Sequence, residues 1–434
     1  MSKVKKSLKK MIPTRAFRAV EPTYHLLEAV AASTRRRFPS RQMHVIGVTG
    51  TNGKTTTSCM IHRMLVEAGY NVALMTTVSS GVGNDIEPSV VHMTTASAPL
   101  LQKRLAEFRR RGVEWLVLET TSHALAQHRT WGVPYEIGVM TNVTHEHLDY
   151  HRSYQHYLRA KLKLFELAAR HGRKLGIYNA DDPTASEWQK RVPRSTGYGL
   201  HKGDLRPLNV QLTPQNSRYT VRYNNTEYQI TCNIPGEFNV YNSLAAVAVG
   251  IELGLTKEQI EQGIAALTQV DGRMNTVQVG QKFAVVIDFA HTPDAFEKVL
   301  SDLRTSTAGK LVVMFGSAGR RDESKRAIQG AIAAMYCDEL VLTEEDDRDV
   351  DGHAILTQIA EGATGKGKVL GVDMFLELDR VRAIELAVSR VSDTNDTVVF
   401  LGKGHEKVIE RSDGEHPWNE TTEVIRAIRA KLSQ

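Results

Sequence analysis

The chain has 434 residues, 41% of them hydrophobic, which is enough for two or three domains with full cores, and no apolar run approaches the roughly 20 residues of a membrane-spanning helix. Its net charge of +6 is uneven: residues 1–42 hold eleven Lys/Arg against two Asp/Glu, so the remainder is slightly acidic at −3 and nucleic-acid binding by the whole protein is not supported. The three cysteines, Cys59, Cys232 and Cys337, give neither a C-x-x-C metal pattern nor a disulfide framework, and no signal-peptide core follows the N-terminus, so a cytoplasmic setting is expected.

In the basic arm Val4, Leu8, Met11 and Ile12 fall at helical spacing among Lys3, Lys5, Lys6, Lys9 and Lys10. That pattern can lie on an anionic membrane surface, so peripheral contact with the inner face is an expectation for this arm. A helix is predicted over 24–34, then the basic linker Arg35-Arg36-Arg37. Short apolar runs at 45–48, 72–76, 115–119, 137–141 and 175–179 alternate with helical patterns, as in an open, mostly parallel sheet. Residues 205–234 alternate in polarity around Asn224-Asn225, which reads as a hairpin annexe, and helices follow at 239–253 and 257–267. A second series begins near Gly272, with strands at 283–288, 310–315, 339–343 and 397–401 and helices at 293–304, 325–335 and 380–391. The fold class is thus α/β: a basic arm and helix (1–42), a P-loop-type central domain with a mostly parallel sheet (43–268) and a smaller Rossmann-like domain (269–434).

Residues 47–57, Gly-Val-Thr-Gly-Thr-Asn-Gly-Lys-Thr-Thr-Thr, lie between a predicted strand and a predicted helix. Gly50 and Gly53 let backbone N–H groups approach a phosphate, and the helix start adds its positive dipole end. Lys54 supplies a point charge for the β- and γ-phosphates, and the Thr55 hydroxyl suits Mg²⁺. Val48 stands where the longer P-loop signature has its first glycine, so this is a shortened variant. Glu119 closes the run Trp-Leu-Val-Leu, a strand-end position where open α/β sheets put ligands, and can serve as a hard oxygen ligand. His145, Glu146, His147 and Asp149 cluster at another strand end. Lys161, inside Leu-Arg-Ala-Lys-Leu-Lys-Leu, reads by its neighbours alone as a solvated helix charge.

The 47–57 loop, Glu-Thr-Thr-Ser-His-Ala-Leu (119–125), the 141–151 cluster, the Lys161 segment, Asn-Ala-Asp-Asp-Pro (179–183), 235–246, Asp-Gly-Arg-Met (271–274), 288–296, 315–326 and Gly-Lys-Gly-His-Glu (402–406) occur in one order. That series resembles the Mur ligases, and within them the type that adds the third amino acid to UDP-N-acetylmuramoyl-dipeptide. The resemblance, from about residue 44 to 425, implies an ATP-dependent ligase using two Mg²⁺ ions. Gly50, Thr51, Asn52, Gly53, Lys54, Thr55 and Thr56 would hold the phosphates. Thr55, Glu119, His147 and Lys161 would hold metal, Lys161 as the carbamylated lysine of the family. Asn239 and Asn242 would lie near adenine, and Arg273, Asp288 and His291 would act as the last domain closes on the nucleotide and excludes water. Thr94, Thr95, Ser122 and Arg129 would contact the muramoyl peptide.

Two departures modify that expectation. Only about 40 residues precede the first strand, where the family usually has a UDP-gripping domain, so the donor is expected to be held differently or to carry a lipid. At 343–348 the sequence is Thr-Glu-Glu-Asp-Asp-Arg where diaminopimelate-adding ligases resemble Asp-Asn-Pro-Arg. Arg348 can still pair with a carboxylate, while the added acids Asp346 and Asp347, with Glu406 in the segment that starts at Gly402, favour an amino acid with a distal ammonium, diaminopimelate or lysine. The alternatives are a folylpolyglutamate-synthetase-like ligase and a non-catalytic nucleotide-binding partner of the same fold. A monomer is expected.

Overall fold

The computed structural model describes residues 14–88, 94–144, 148–213 and 216–433. The chain divides into two compact units, one made of 1–209, 219–230 and 241–266, the other of 210–218, 231–240 and 267–434.

The first unit is built on β1 (His44–Thr49), β2 (Val72–Met75), β3 (Ser79–Val82), β4 (Asp85–Pro88), β5 (Trp115–Glu119), β6 (Tyr135–Met140), β7 (Leu175–Asn179) and β8 (Arg194–Tyr198). These form one eight-stranded sheet in the order β4-β3-β2-β5-β1-β6-β7-β8. β1 runs parallel to both neighbours, and only the β2–β3 and β3–β4 pairs are antiparallel. Every residue of β2, β5 and β7 is buried, because helices cover both faces; that is why these strands read as unbroken apolar runs. Register places the site: Val48 pairs with Glu119 and Thr49 with Met140, so the loop after β1, the end of β5 and Thr141-Asn142 share one carboxyl edge.

The first described helix, Thr14–Arg35, starts ten residues earlier than expected and continues across Pro22. It packs on the helix Ala98–Arg110. The Lys-rich residues 1–13 lie outside the described residues. A three-stranded sheet of β9 (Pro207–Leu212), β10 (Ser217–Tyr223) and β11 (Thr226–Cys232) has the order β11-β10-β9. Asn224 and Asn225 turn its hairpin with φ of 45° and 63°, the left-handed pair a two-residue hairpin demands.

The second unit holds β12 (Asn275–Thr276), β13 (Ala284–Asp288), β14 (Leu311–Phe315), β15 (Glu339–Leu342), β16 (Met374–Leu376) and β17 (Thr397–Leu401) in the order β12-β13-β17-β14-β15-β16. All pairs are parallel except β12 with β13. Val285, Ile287, Val312, Met314, Val398 and Phe400 fill the core against Ala383, Ile384 and Ala387 of the helix Arg380–Ser389. A hairpin, β18 (Val408–Arg411) with β19 (Gly414–Pro417), follows the last core strand. No helix among the described residues is long and apolar enough to cross a membrane.

Candidate active site

Between β1 and the helix Lys54–Glu67 the backbone takes φ of 150° at Gly50 and 82° at Gly53. A Cβ on Gly50 would stand 1.8 Å from the Thr141 hydroxyl oxygen, and one on Gly53 would stand 2.3 Å from Asn242 Oδ1. Both positions therefore require glycine, sterically as well as by backbone angle. The loop is moulded onto the end of β6. Thr51 N–H donates to the Asn142 carbonyl (2.8 Å), Asn52 N–H to Asn142 Oδ1 (2.9 Å), and the Thr141 hydroxyl to the Asn52 carbonyl (2.6 Å). With those two N–H groups engaged, the donors left for an anion are those of the first turn of the Lys54–Glu67 helix, whose N–H groups lack intrahelical acceptors. Thr55 and Thr56 are buried in that turn, and the Lys54 ammonium folds back over the loop to the Thr51 carbonyl at 2.7 Å.

Glu119 is buried at the end of β5. Its carboxylate accepts the Thr55 hydroxyl (3.1 Å), the Thr77 N–H (2.9 Å) and the Thr77 hydroxyl (3.1 Å). A hydroxyl and a carboxylate side by side at a helix N-terminus match Mg²⁺, which takes one or two protein oxygens and shares the rest with phosphates. His145, Glu146 and His147 lie outside the described residues, as does the Asp149 side chain. Among the described residues no group of three or more His, Cys, Asp or Glu assembles a metal cage.

Lys161 corrects the expectation of a solvated charge: it is 2% exposed. Its ammonium donates to the Gly50 carbonyl and sits 4.5 Å from the centroid of the Tyr157 ring. The helix Tyr154–Ala168 buries Tyr157, Leu158, Leu164, Phe165 and Ala168, and position 161 falls on that same face by i, i+4 spacing. The Tyr157 hydroxyl in turn meets the Thr51 hydroxyl at 2.9 Å.

The residues matched to the muramoyl peptide gather beside Glu119. The Thr95 hydroxyl donates to the Glu119 carbonyl (3.1 Å) and accepts the Thr121 N–H (3.0 Å). Arg129 Nη1 donates to the Thr95 carbonyl (3.0 Å), and the Ser122 hydroxyl pairs with His151 Nε2 (3.0 Å). Thr94 is half-buried next to Thr95. Asn242 reaches the loop from the helix Glu237–Leu253 and accepts the Thr57 hydroxyl at 3.2 Å. Asn239, also buried, donates to the Pro235 carbonyl at 2.7 Å.

In the second unit, Asp288 ends β13 and accepts the N–H groups of Met274 and Ala290, both at 2.7 Å. Burial raises its pKa while nearby Arg273 opposes the rise. The Arg273 guanidinium lies 5.1 Å from the Phe289 ring centroid, and His291 Nδ1 faces the Phe289 carbonyl at 3.0 Å.

The acidic run after β15 is no solvated loop, for Glu344, Glu345 and Asp346 are all buried. Asp346 accepts Lys403 Nζ (2.8 Å) and the Glu410 N–H (3.0 Å), and the same lysine pairs with Glu406 at 2.6 Å. Arg348 donates to the Glu410 carboxylate and to the Gly319 carbonyl (2.6 Å). Arg380, fully buried, grips Glu420 through two bonds of 2.9 and 2.6 Å and donates to the carbonyls of Glu344 (2.7 Å) and Leu401 (3.1 Å), which ties the acidic run to the end of β17. Gly402 has φ of 99°, and a Cβ there would come within 2.9 Å of Glu345 Oε2. The sequence analysis assigned no role to Glu345, Lys403 or Lys325; Glu345 and Lys403 follow apolar strands, and Lys325 stands in the first turn of the helix Ser324–Tyr336.

Glu345 Oε2 has no hydrogen-bond partner among the described residues, and burial pushes its pKa to about 7 against the pull of Lys325, Lys403 and Arg380. The folded state therefore keeps this proton up to about pH 7, whereas the unfolded chain releases it near 4.5. The native state binds more protons across that window, so this residue's contribution to stability falls as pH rises from about 4.5 to 7. Glu345→Gln mimics the protonated form at every pH. Its urea-unfolding free energy is expected to match wild type at pH 4.5 and to exceed it at pH 8 by up to about 3 kcal/mol, at about 1.4 kcal/mol per pKa unit. A difference that does not change with pH would contradict this.

A family profile described as "Mur ligase middle domain" matches residues 48–250, and one described as "Mur ligase, glutamate ligase domain" matches 272–404. The chain is 36% identical over 431 residues to a UDP-N-acetylmuramyl-tripeptide synthetase of Roseiflexus sp. (strain RS-1), covering 96% of this chain and 84% of that protein. It superimposes on a solved UDP-N-acetylmuramoyl-L-alanyl-D-glutamate–2,6-diaminopimelate ligase with a TM-score of 0.67 and 27% identity, over 95% of this chain and 83% of that one. A folylpolyglutamate synthase of Mycobacterium tuberculosis, solved with ADP and AMPPCP, gives a TM-score of 0.71 over 87% of this chain and 92% of that one, but at 16% identity it shows the fold alone.

Proposed function

This chain belongs to the Mur ligase family and is an ATP-dependent, ADP-forming ligase of cell-wall peptide synthesis, and from that premise we propose how its residues divide the work and which amino acid it takes. The donor is a muramoyl dipeptide, as the names of its relatives imply, and the acceptor is a diamino acid, diaminopimelate or lysine. The observation that carries the reading is the assembly of Lys54, Thr55, Glu119 and the buried Lys161 around one glycine loop at the carboxyl edge of β1 and β5.

The donor carboxylate attacks the γ-phosphorus, the bond to the β-phosphate oxygen breaks, and ADP departs. The amino group then attacks the acyl carbon, loses a proton, and phosphate leaves as the amide forms. The first step brings two anions together, so Lys54 and the helix N-terminus supply positive charge where it is needed. Thr55 and Glu119 are suited to hold Mg²⁺, with His147 and a carbamylated Lys161 assigned to a second ion. When bound, the metal supplies Lewis-acid neutralisation of the phosphates. Thr95, Ser122 and Arg129 are assigned to the donor peptide, and Asn239, Asn242, Arg273, Asp288 and His291 to the nucleotide. Lys403 pairs with both Asp346 and Glu406, so this group keeps one net negative charge to favour an acceptor with a distal ammonium, and the hold of Glu410 on Arg348 weakens that arginine as a carboxylate grip, a feature that leans towards lysine. We assign the enzyme to the cytoplasm as a monomer.

The test is ADP release with UDP-N-acetylmuramoyl-L-Ala-D-Glu against a panel of amino acids, with product masses read directly. Turnover confined to diamino acids, with lysine at or above diaminopimelate, is expected. Turnover with glutamate on a pterin donor, and none here, would overturn the assignment in favour of folylpolyglutamate chemistry.

A further inference from the structure

We propose that the N-terminal helix and the turn after it form a docking surface for an anionic lipid bilayer, one fixed to the body of the protein and separate from the ligase site. The helix Thr14–Arg35 is no loose tail. Ala29 and Ser33 are fully buried, the Ser33 hydroxyl donates to the Trp131 carbonyl at 3.1 Å, and the helix packs on Ala98–Arg110. Its opposite face is exposed: Leu27 is 65% exposed, and Ala31 and Arg35 continue the same stripe at i, i+4 and i+8.

The charge beside the stripe selects the occupant. Arg35, Arg36, Arg37 and Arg41 are exposed, and the one acid described between residues 23 and 42, Glu28, is paired with His25 at 3.6 Å. One cation at the end of a helix complements the dipole; four in seven positions go well beyond that need. The geometry of the turn holds them in place. Arg37 and Phe38 adopt left-handed angles (φ 56° and 47°), Phe38 tucks against Trp131 with ring centroids 5.9 Å apart, and Arg41 lies 4.2 Å from the Phe38 centroid. Trp131, 36% exposed, adds an amphipathic ring of the kind enriched at membrane interfaces. Exposed apolar side chains flanked by fixed cations suit the headgroup layer of an anionic membrane. A second copy of the chain is disfavoured as occupant, since it would bring a like-charged arm of +9 against this one.

The experiment uses the full chain in cosedimentation with vesicles of phosphatidylcholine alone and with one third phosphatidylglycerol. Binding to the anionic vesicles only, weakening with salt, is expected. Leu27→Asp should lower the partition at least tenfold. Arg35→Ala/Arg36→Ala/Arg37→Ala should lower it by roughly fivefold per arginine removed. Both variants should keep wild-type ADP release on the soluble donor, which shows that the fold is intact and separates this proposal from the ligase assignment. Equal binding to neutral vesicles would overturn the proposal. So would unchanged binding by both variants, which would leave the contact to residues 1–13 alone, or a Leu27-dependent dimer in light scattering without vesicles.

Discussion

Lys54→Ala is expected to lower kcat by about 10²–10³-fold while leaving the fold in place, the usual cost of removing one preorganised group that stabilises developing charge. The ammonium is half-buried, and its bond to the Thr51 carbonyl is local, so its loss should cost no more than about 1 kcal/mol of stability. On the role proposed for it, the same group would face the γ-phosphate as a carboxylate approaches, where charge repulsion is greatest. Lys54→Arg should recover little, because a planar guanidinium does not reproduce the compact point charge of an ammonium. The measurement is steady-state ADP release together with urea unfolding. A drop under tenfold with unchanged unfolding would mean that the helix N-terminus alone carries the phosphates. A KM effect on ATP without a kcat effect would mean that Lys54 binds the ground state only.

What the sequence made legible follows from where the physics is local. The loop at 50–53 could be read because left-handed backbone and close approach both demand glycine, and the structure supplies both reasons at once. Glu119 could be read because a carboxylate ending a wholly apolar strand has few places to go other than a ligand edge. The parallel strands could be read because burial on both faces writes an unbroken apolar run; the short, more polar β3 and the edge strand β4 carry no such signature and went unseen.

Lys161 could not be read from its neighbours, because two flanking basic residues, Arg159 and Lys163, make the segment look solvated. Its burial is decided by the Gly50 carbonyl, 111 positions away in sequence. The acidic run 344–347 was ambiguous for a related reason. Its partners, Arg380, Lys403 and Arg411, come from three later segments, and only the folded sheet shows that Asp346 is held by Lys403 and Glu344 by Arg411. Asn242 sits on a helix that is apolar nearly all round, so nothing in its periodicity marked it as the residue that closes on Gly53.

Lys161→Ala is expected to lower kcat on the order of 10³-fold, and the form of the loss tests what the lysine becomes. As an ammonium, the side chain is already satisfied by the Gly50 carbonyl and the Tyr157 ring, and deleting it leaves a buried carbonyl unpaired at about 1–3 kcal/mol. As a carbamate it would be an anion in the same small space, next to the loop proposed to hold phosphates, and stable there only if cations share the site. The two states predict different behaviour. If Lys161 acts as a carbamate, wild-type activity should rise with bicarbonate and fall in bicarbonate-free buffer, while Lys161→Ala should ignore bicarbonate and regain activity with acetate or formate. Lys161→Arg, which keeps the charge and cannot form the carbamate, should stay as inactive as the alanine variant. If Lys161 acts as an ammonium, bicarbonate should have no effect, and Lys161→Arg should keep a substantial part of the wild-type rate. Urea unfolding run in parallel separates both from plain destabilisation, since a purely structural lysine would lower stability in the alanine variant without any response to small carboxylates. The second metal assignment stands or falls on that comparison, because a positively charged Lys161, held at the Gly50 carbonyl, could neutralise phosphate charge itself but could not hold an ion.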